Sequence, residues 1–335
     1  LVPILLLVHR QRAGHKPVAL GGGATGMVGD PSGKSAERNL LDEASLAKNV
    51  AGIKAQLEKF LNFDPSKANK ALMTNNYDWF KAISFIDFLR DTGKHITVNY
   101  MMAKDSVKKR IEGDAGISYT EFAYQLMQGY DFYWLYNNLN CKLQFGGSDQ
   151  WGNMTTGTEL IRRKSGGEAF VFTCPLITKA DGGKFGKTES GNVWLDANRT
   201  TPYQFYQFWL NASDADAVKW IKIFTFLDHV AIEEITAAHN QNPAARLLQK
   251  TLAKEVTTFV HGEDEYQKAI ETTEKLFANA NAPAESLSAD DLENMEGVQK
   301  INFEKSKIKI GIDVVSFLAD TAIFPSKGEA KKMIQ

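Results

Sequence analysis

The chain has 335 residues, of which 43% are hydrophobic and 24% are charged, and its formal net charge at pH 7 is -1. The length predicts two or three domains, and the composition is that of a soluble globular protein without a general electrostatic attraction to nucleic acid. Its 2 cysteines and 6 scattered histidines form neither a disulfide framework nor the ligand spacing of a metal site, which fits a reducing cytoplasm and predicts no structural metal.

The first predicted elements are an apolar helix and a strand that runs into a glycine-rich segment. The opening apolar run is too short to span a membrane, and the basic residues that follow it favour a buried helix over a signal peptide. A strand is predicted at residues 16–20, and a glycine-rich turn at residues 21–35 follows it. The turn lacks the spacing of a Walker A loop, which excludes a P-loop NTPase. It carries one carboxylate, Asp30, and the cations Lys34 and Arg38.

Helices and strands alternate along the next part of the chain. A helix is predicted at residues 45–61, a strand at 70–73 and further helices at 83–90 and 103–111, because their apolar residues recur with the matching periods. This order predicts an α/β fold with a parallel sheet covered by helices, and ligands are then expected at the carboxyl ends of the strands.

The helix predicted at residues 120–136 carries a row of polar side chains. Tyr124, Gln128 and Asp131 stand at i, i+4 and i+7, so that all three lie on one face. A phenol, an amide and a carboxylate in one row can hold a small polar ligand by complementary hydrogen bonds. A solvent-exposed stripe is the alternative interpretation.

A second glycine-rich strand end follows this helix. A buried strand is predicted at residues 141–145, the glycine-rich segment 146–153 comes after it, and a helix begins at residue 153. Glycines let the backbone approach a ligand closely, and Asp149 is placed like a carboxylate that accepts ribose hydroxyls. A strand at residues 170–177 then leads into residues 178–191, here called the lysine loop.

The lysine loop places Lys184 and Lys187 three residues apart on a backbone that contains four glycines. Two ammonium groups on a mobile loop suit a polyphosphate, whose charge moves during reaction. A solvated basic turn is the alternative interpretation.

Beyond residue 202 the apolar pattern is helical, at residues 203–210, 215–226 and 232–277, and it predicts a separate helical domain. A polar linker at residues 279–291 leads to a lysine-rich tail, which is either a solvated surface or an RNA contact. The predicted domains cover residues 1–200, 201–290 and 291–335.

Three motifs, at residues 23–34, 146–153 and 184–188, resemble in content and order those of bacterial-type tyrosyl-tRNA synthetases, which are class I enzymes. The resemblance covers essentially the whole chain. It implies a Rossmann-like parallel-sheet catalytic domain, an α-helical anticodon-binding domain and the start of a small α+β S4-like RNA-binding domain. It also implies a cytoplasmic homodimer that uses L-tyrosine, ATP with Mg²⁺ and tRNA(Tyr), with no membrane or DNA partner.

The resemblance assigns a role to each matched residue. The tyrosine-binding residues would be Asp30, Asn76, Tyr124, Gln128, Asp131, Gln144 and Gln150. Among them, Asp131 would accept a hydrogen bond from the phenolic hydroxyl, and phenylalanine would be rejected because it leaves this buried acceptor unmatched. Tyr119 falls where the subunit interface of the family lies.

The remaining matched residues would serve ATP. Gly147 and Asp149 would hold the ribose. Lys184, Lys187 and Thr188 form the variant of the KMSKS signature that stabilises pyrophosphate in the transition state, with assistance from Lys34 and Arg38. The substrate carboxylate is itself the nucleophile, so catalysis needs positioning and charge stabilisation and no general base.

Two features of the family are missing from the sequence. The HIGH signature, with a preceding strand that supplies a tyrosine to the substrate hydroxyl, would stand just before Leu1, and the carboxyl-terminal domain is only begun. A fragment with severely impaired adenylate formation is therefore expected. The alternatives are a tryptophanyl-type or other class I adenylating enzyme, against which Asp131 argues because it matches a phenol, and a synthetase-like RNA-binding protein without catalysis.

Overall fold

The structure, a computed structural model, describes residues 1–29, 42–113, 116–180, 182–183, 185–188, 191–277, 301–304, 306 and 311–334. Asp30, Lys34, Arg38 and Lys184 lie outside the described residues, as does the predicted linker. The chain divides into two compact units, Leu1–Tyr266 and Gln267–Gln335. The first unit contains the predicted catalytic domain and most of the predicted helical domain, and the domain boundaries stay a prediction.

The amino-terminal part forms the predicted alternation of helices and strands. Its elements are α1 (Val2–Arg12), β1 (Val18–Gly21), α2 (Gly23–Val28), α3 (Glu43–Leu57) and β2 (Leu72–Asn75). Strands β1 and β2 pair in parallel, with Val18 opposite Leu72. Helix α3 begins where the Asp42 carboxylate accepts a hydrogen bond from the Ser45 amide. It ends at Leu57, four residues earlier than predicted, because the next residues make i→i+3 turn bonds.

The glycine-rich segment after β1 is partly helical, which corrects the predicted turn. The first two amides of α2 donate to side chains near the end of β2, Gly23 to Asn75 Oδ1 at 3.0 Å and Ala24 to Asn76 Oδ1 at 2.7 Å. These bonds satisfy amides that a helix start leaves without an internal partner. Strand β2 also runs beyond its predicted end at residue 73, because its pairing with β1 continues to Asn75.

Four short helices precede a long one. They are α4 (Tyr77–Phe80), α5 (Phe85–Asp91), α6 (Val98–Met102) and α7 (Asp105–Ile111), with a 3-10 turn at Gly93–His95, and α8 (Tyr119–Leu139) follows. The start of α8 is fixed by Arg110, which donates to both carboxylate oxygens of Glu121 at 2.7 and 2.8 Å. Ser118 and Glu121 form a capping box there. Helix α8 continues beyond its predicted end at residue 136 and ends at Leu139, where Asn140 forms a left-handed cap.

Helices α8 and α9 (Trp151–Ser165) cross at glycines. A Cβ on Gly129 would lie 3.0 Å from Thr156 Cγ2, and a Cβ on Gly157 would lie 2.8 Å from the Cβ of Phe132. Larger residues would push the two helices apart. Because Gly129 and Phe132 flank Asp131 in the sequence, this crossing fixes where Asp131 stands.

A second parallel pair consists of β3 (Leu143–Gly147) and β4 (Phe170–Cys174), and a 3-10 turn at Ser148–Gln150 leads from β3 into α9. Strand β3 begins later than predicted and includes both glycines, because Gly147 pairs opposite Cys174. Strand β4 ends at Cys174, three residues before the predicted end. The lysine loop contains a small antiparallel pair, β5 (Lys187–Thr188) with β6 (Gly191–Asn192), which the sequence did not predict.

The helical part of the first unit confirms the predicted change of pattern. Its helices are α10 (Pro202–Leu210), α11 (Asp214–Phe224), α12 (His229–Gln241), α13 (Leu247–His261) and α14 (Glu263–Phe277), the last of which continues into the second unit. The helical stretch predicted at residues 232–277 is broken at Pro243–Ala245 and at Gly262, whose φ is 94°. The core of α10, α11 and α13 is formed by Phe205, Trp209, Trp220, Leu248 and Leu252, each at most 2% exposed.

In the second unit, α15 (Val314–Asp320) and α16 (Lys327–Ile334) follow α14. The Asp313 carboxylate caps α15 by accepting from the Ser316 amide at 2.9 Å, and the rings of Phe303 and Phe317 lie 4.9 Å apart. The S4-like domain stays a prediction. Within the described ranges of both units, no helix combines the length and the apolar character needed to cross a bilayer.

Candidate active site

Asp131 is the centre of a buried polar network. Its side chain is 1% exposed, and both carboxylate oxygens accept hydrogen bonds, Oδ1 from the Trp79 indole at 2.9 Å and Oδ2 from Asn76 Nδ2 at 3.0 Å. Asn76 is itself fully buried. Its side-chain Nδ2 also donates to Thr25 Oγ1 at 2.9 Å, and its Oδ1 accepts from the Ala24 backbone amide. The network therefore joins the ends of β1 and β2 to the middle of α8.

Burial raises the pKa of Asp131 to about 7, and the hydrogen bonds from Asn76 and Trp79 act in the opposite direction by stabilising the carboxylate. The charge of Asp131 thus depends on how many donors reach it near neutral pH. A ligand that donates a further hydrogen bond would favour the ionised form.

Trp79 is a site residue that the sequence interpretation missed. It is 7% exposed, and its ring stacks on Trp134 of α8 with centroids 4.2 Å apart and planes inclined by 13°. It follows Asn76 by three residues through the short helix α4, so both side chains can reach the same carboxylate. That spacing after a predicted strand end was the only available signal in the sequence.

The side chains of the predicted row on α8 are buried to different degrees. Tyr124 and Gln128 are half-buried, whereas Asp131 lies in the core between α8 and the segment that follows β2. Asn76 and Trp79, which follow β2, contact the Asp131 carboxylate and cover it. Asp131 therefore lies at the closed end of the row.

Gln144 faces a cavity of about 390 Å³ between the two strand pairs, lined among others by Leu20 of β1 and Phe132 of α8. Its Oε1 is buried and has no hydrogen-bond partner. A buried acceptor without a partner costs free energy, and such a group is expected to pair when a ligand or further polar group reaches it. The binding role of Gln144 stays a prediction.

The segment after β3 holds Asp149 and Gln150 together. Gln150 Nε2 donates to Asp149 Oδ2 at 3.0 Å, and Asn153 Nδ2 donates to Gln150 Oε1 at 3.3 Å. The Asp149 carboxylate also folds over Gly147, where any Cβ would collide with it. The two residues predicted for ribose binding are therefore adjacent in space.

An apolar pocket of about 250 Å³ lies beside Gly147. Its walls are formed by the start of α1, the end of β3 and the segment after β4, and they include Pro3, Leu6, Gly146, Leu176 and Phe185. A flat apolar ring fits such walls. The sequence interpretation did not identify this pocket, because its residues belong to no single motif.

The lysine loop is more ordered than an open turn. Gly182 and Gly186 have φ angles of 82° and 73°, values that favour glycine, and the Val193 amide donates to the Gly186 carbonyl at 2.9 Å. Lys184 is outside the described residues, and for Lys187 and Thr188 the backbone is described but the side chains are not. The catalytic roles of these three residues, like those of Asp30, Lys34 and Arg38, stay predictions.

Over the ranges that the structure describes, no group of three or more His, Cys, Asp or Glu side chains is arranged to hold a metal ion. The carboxylates Asp131 and Asp149 serve hydrogen-bond networks with amide and indole donors.

Comparison with known proteins agrees with this geometry. The family model of class I tRNA synthetases (W and Y) matches residues 1–278. The chain is 59% identical over 337 residues to a tyrosine–tRNA ligase of Bacteroides fragilis, with 99% of this chain and 78% of that protein covered. It is 60% identical over 342 residues to a tyrosine–tRNA ligase of Porphyromonas gingivalis, with 100% and 79% covered.

Solved structures confirm the predicted fold, a Rossmann-like α/β part followed by helices. A carboxyl-terminally truncated mitochondrial tyrosyl-tRNA synthetase of Aspergillus nidulans superposes with a TM-score of 0.73 at 30% identity, covering 83% of this chain and 81% of that chain. A tryptophanyl-tRNA synthetase of Giardia lamblia shares the fold, with a TM-score of 0.58 at 11% identity over 89% of this chain and 79% of that chain. The chain therefore belongs to the class I tRNA synthetases of the tryptophan and tyrosine type, and among these to the bacterial-type tyrosyl-tRNA synthetases.

Proposed function

We propose that the protein is a tyrosine–tRNA ligase. It activates L-tyrosine with ATP, and the tyrosyl group then moves to the 3′ end of tRNA(Tyr). Relatives of 59% and 60% identity that carry this name support the proposal. The single structural observation that carries it is the buried carboxylate of Asp131, whose two fixed donors leave it able to accept one more hydrogen bond from a ligand.

In this reaction a carboxylate oxygen of tyrosine attacks the α-phosphorus of ATP, and the bond from that phosphorus to the bridging oxygen of pyrophosphate breaks. Tyrosyl-adenylate and pyrophosphate are the products. A ribose hydroxyl at the tRNA end then attacks the tyrosyl carbonyl and releases AMP. The chain contributes by orienting the carboxylate and by stabilising charge on the leaving pyrophosphate.

The amino acid would lie along α8. Asp131 accepts the phenolic hydroxyl at the closed end, Tyr124, Gln128 and Asp30 surround the ammonium group, and Gln144 and Gln150 hold the region of the carboxylate. Asn76 and Trp79 orient Asp131. The half-burial of Tyr124 and Gln128 and the unpaired Oε1 of Gln144 support this arrangement.

ATP would lie across the carboxyl ends of β3 and β4. The apolar pocket beside Gly147 has the size and walls for adenine, and Gly147 and Asp149 bind the ribose. Lys184, Lys187 and Thr188 stabilise the pyrophosphate, with Lys34 and Arg38 on the facing segment. Mg²⁺ would enter the site bound to the phosphate oxygens of ATP, as is common for nucleotide substrates.

The domains keep their predicted roles in this proposal. Residues 1–200 carry catalysis, residues 201–290 bind the anticodon arm, and residues 291–335 belong to an S4-like RNA-binding domain in which exposed lysines such as Lys331 and Lys332 approach the phosphate backbone. A cytoplasmic location follows from the substrates that the enzyme shares with translation.

The same proposal includes a homodimer, for which an exposed apolar surface gives support. Phe85 and Ile86 on α5 are 64% and 73% exposed, Val98 on α6 is 57% exposed, and Tyr119 at the start of α8 is 65% exposed. The inner faces of these three helices share one cluster of apolar residues, so the helices pack together. A surface of this kind is typical of an interface between subunits.

Ile86→Asp is expected to convert the dimer into monomers, because it would bury a carboxylate in an apolar interface. Sedimentation equilibrium measures the mass directly. Val230→Asp on α12 is the matched control, since Val230 is 62% exposed and lies outside this surface. An Ile86→Asp protein that stays dimeric, or a Val230→Asp protein that dissociates, contradicts the assignment.

Tyrosine-dependent exchange of pyrophosphate into ATP tests the proposed activity. We expect exchange with tyrosine and little with tryptophan or phenylalanine. Exchange that depends on tryptophan would instead identify the enzyme as a tryptophanyl-type synthetase of the same family.

A further inference from the structure

One face of α11 contacts the lysine loop. Asp216, Trp220 and Phe224 stand at i, i+4 and i+8, so they form a single row, here called the α11 stripe. Their exposures are 6%, 2% and 1%, so the row is covered along its whole length.

The first contact holds the start of the loop. Asp216 Oδ1 accepts a hydrogen bond from the amide of Ala180 at 2.8 Å. The other oxygen, Oδ2, accepts from the Ser213 hydroxyl at 2.8 Å, and Ser213 also caps α11. A buried carboxylate is thereby committed to a backbone amide of the loop, a charge-assisted bond stronger than one between neutral groups.

The second contact inserts a ring from the loop. Phe185 stacks on Phe224 with centroids 5.0 Å apart and planes inclined by 13°, and it meets Trp220 edge to face at 5.0 Å. The ring centroids of Phe208 and Trp209 on α10 lie 5.9 and 5.8 Å from that of Phe185, so rings from both helices surround it. Aromatic contacts of this geometry add to the free energy of burial.

The far end of the loop is held as well. Strands β5 and β6 pair, and the amide of Trp194 donates to Thr200 Oγ1 at 2.9 Å. Phe185 is the inserted side chain between these two ends, directly after Lys184 and two residues before Lys187. Fixing one Cα restricts its neighbours to within about 3.8 Å per residue, so the ring limits how far the backbone at the two lysines can move.

We propose that the α11 stripe and Phe185 position the lysine loop for the activation step. The residues of the α11 stripe are positioning residues that act through Lys184 and Lys187. Phe185 joins the stripe to the loop, and it also forms one wall of the pocket proposed for adenine. The inference rests on the proposed function, since it assigns the loop to stabilising pyrophosphate. A misplacement of about 1 Å in a charged group that acts in the transition state can cost about 100-fold in rate.

The test compares Phe185→Leu, Phe224→Leu and the double variant in the natural protein that carries this chain. We expect each single variant to slow adenylate formation by about tenfold, with tyrosine affinity within about twofold of the unchanged protein. The double variant is expected to be no slower than the slower single variant, because both changes remove the same contact. Phe226→Leu is the control, because Phe226 packs on His9 and Phe259 and not on the loop.

Trypsin cleavage after Lys184 and Lys187 supplies a second readout that a general loss of stability does not explain. We expect faster cleavage there in Phe185→Leu at an unchanged melting temperature, and unchanged cleavage in Phe226→Leu. A folded Phe224→Leu protein should also be cleaved faster. Phe185 lies on a loop, so its variant is expected to fold even if Phe224→Leu does not. Rates of activation and cleavage in Phe185→Leu equal to those of the control would overturn the proposal.

The two proposals can fail separately. If the unchanged protein activates a different amino acid, the proposed function fails, and the positioning role is decided by the same rate comparison with that amino acid. If it activates none, the cleavage comparison alone decides whether the α11 stripe holds the loop.

Discussion

Asp131→Asn is expected to lower the preference for tyrosine over phenylalanine by about 100-fold, because a hydrogen bond to a charged acceptor contributes about 1.5–3 kcal/mol. The asparagine has the same shape, but its one carbonyl oxygen can accept from only one of Asn76 and Trp79, and its NH2 group then faces the other donor. Most of the loss should appear in kcat/KM for tyrosine, while kcat/KM for phenylalanine changes little.

The ratio of kcat/KM values for the two amino acids, measured by pyrophosphate exchange, gives the result. A thermal melt of the variant shows whether the fold is retained. Trp79→Phe is the companion variant, since it removes one donor and leaves the carboxylate. An Asp131→Asn protein that still prefers tyrosine as strongly as before contradicts the role of Asp131.

The pH dependence of kcat/KM for tyrosine tests the charge of Asp131. Its pKa of about 7 lies above the ordinary value of 3.8, so the carboxyl group is protonated below neutrality and ionised above it. We expect kcat/KM for tyrosine to rise as pH increases through about 7, because the ionised form accepts from the phenol. Trp79→Phe should move this rise to higher pH, and Asp131→Asn should remove it.

The raised pKa also has a consequence for stability. In the absence of ligand the folded state binds this proton more tightly than the unfolded state. The contribution of Asp131 to the free energy of unfolding is therefore largest below its unfolded pKa and falls as pH rises toward about 7. Bound tyrosine should stabilise the protein more at high pH than at low pH.

Lys187→Ala is expected to slow adenylate formation by about 100- to 1,000-fold, because removing one group that stabilises transition-state charge costs about 2.7–4 kcal/mol. Tyrosine should bind as before, since the lysine acts on pyrophosphate and not on the amino acid. Single-turnover formation of tyrosyl-adenylate separates the two effects.

Lys222→Ala on α11 is the control for charge, because Lys222 is exposed and lies outside the α11 stripe. Two results would be inconsistent with a charge that acts only in the transition state. One is a Lys187→Ala protein that forms adenylate at a nearly unchanged rate, and the other is a protein whose tyrosine affinity falls as much as its rate.

The motifs predicted the residues that carry chemistry better than they predicted the local structure around them. Asn76 and Asp131 were expected near each other, and they are hydrogen-bonded. The segment after β1 was predicted as a turn because glycine is a poor helix former, yet α2 forms there since Asn75 and Asn76 satisfy its first amides. Bonds between residues about fifty positions apart are invisible to local propensity.

The residues that sequence reasoning missed act through packing. Trp79 was not distinguishable from a core tryptophan until its indole was found on Asp131. Phe185 stood in a motif known for its lysines, and its role depends on rings from α10 and α11. The helical periodicity at residues 232–277 was correct, but it did not take account of Pro243 and Gly262, which end helices locally.

The most direct test is amino-acid-dependent ATP–pyrophosphate exchange by the natural protein that carries this chain, with tyrosine, tryptophan and phenylalanine compared at equal concentrations. We expect tyrosine to support exchange and the preference over phenylalanine to collapse in Asp131→Asn. Exchange with tryptophan in place of tyrosine, or a preference for tyrosine that survives the loss of the Asp131 carboxylate, would contradict this function and this site.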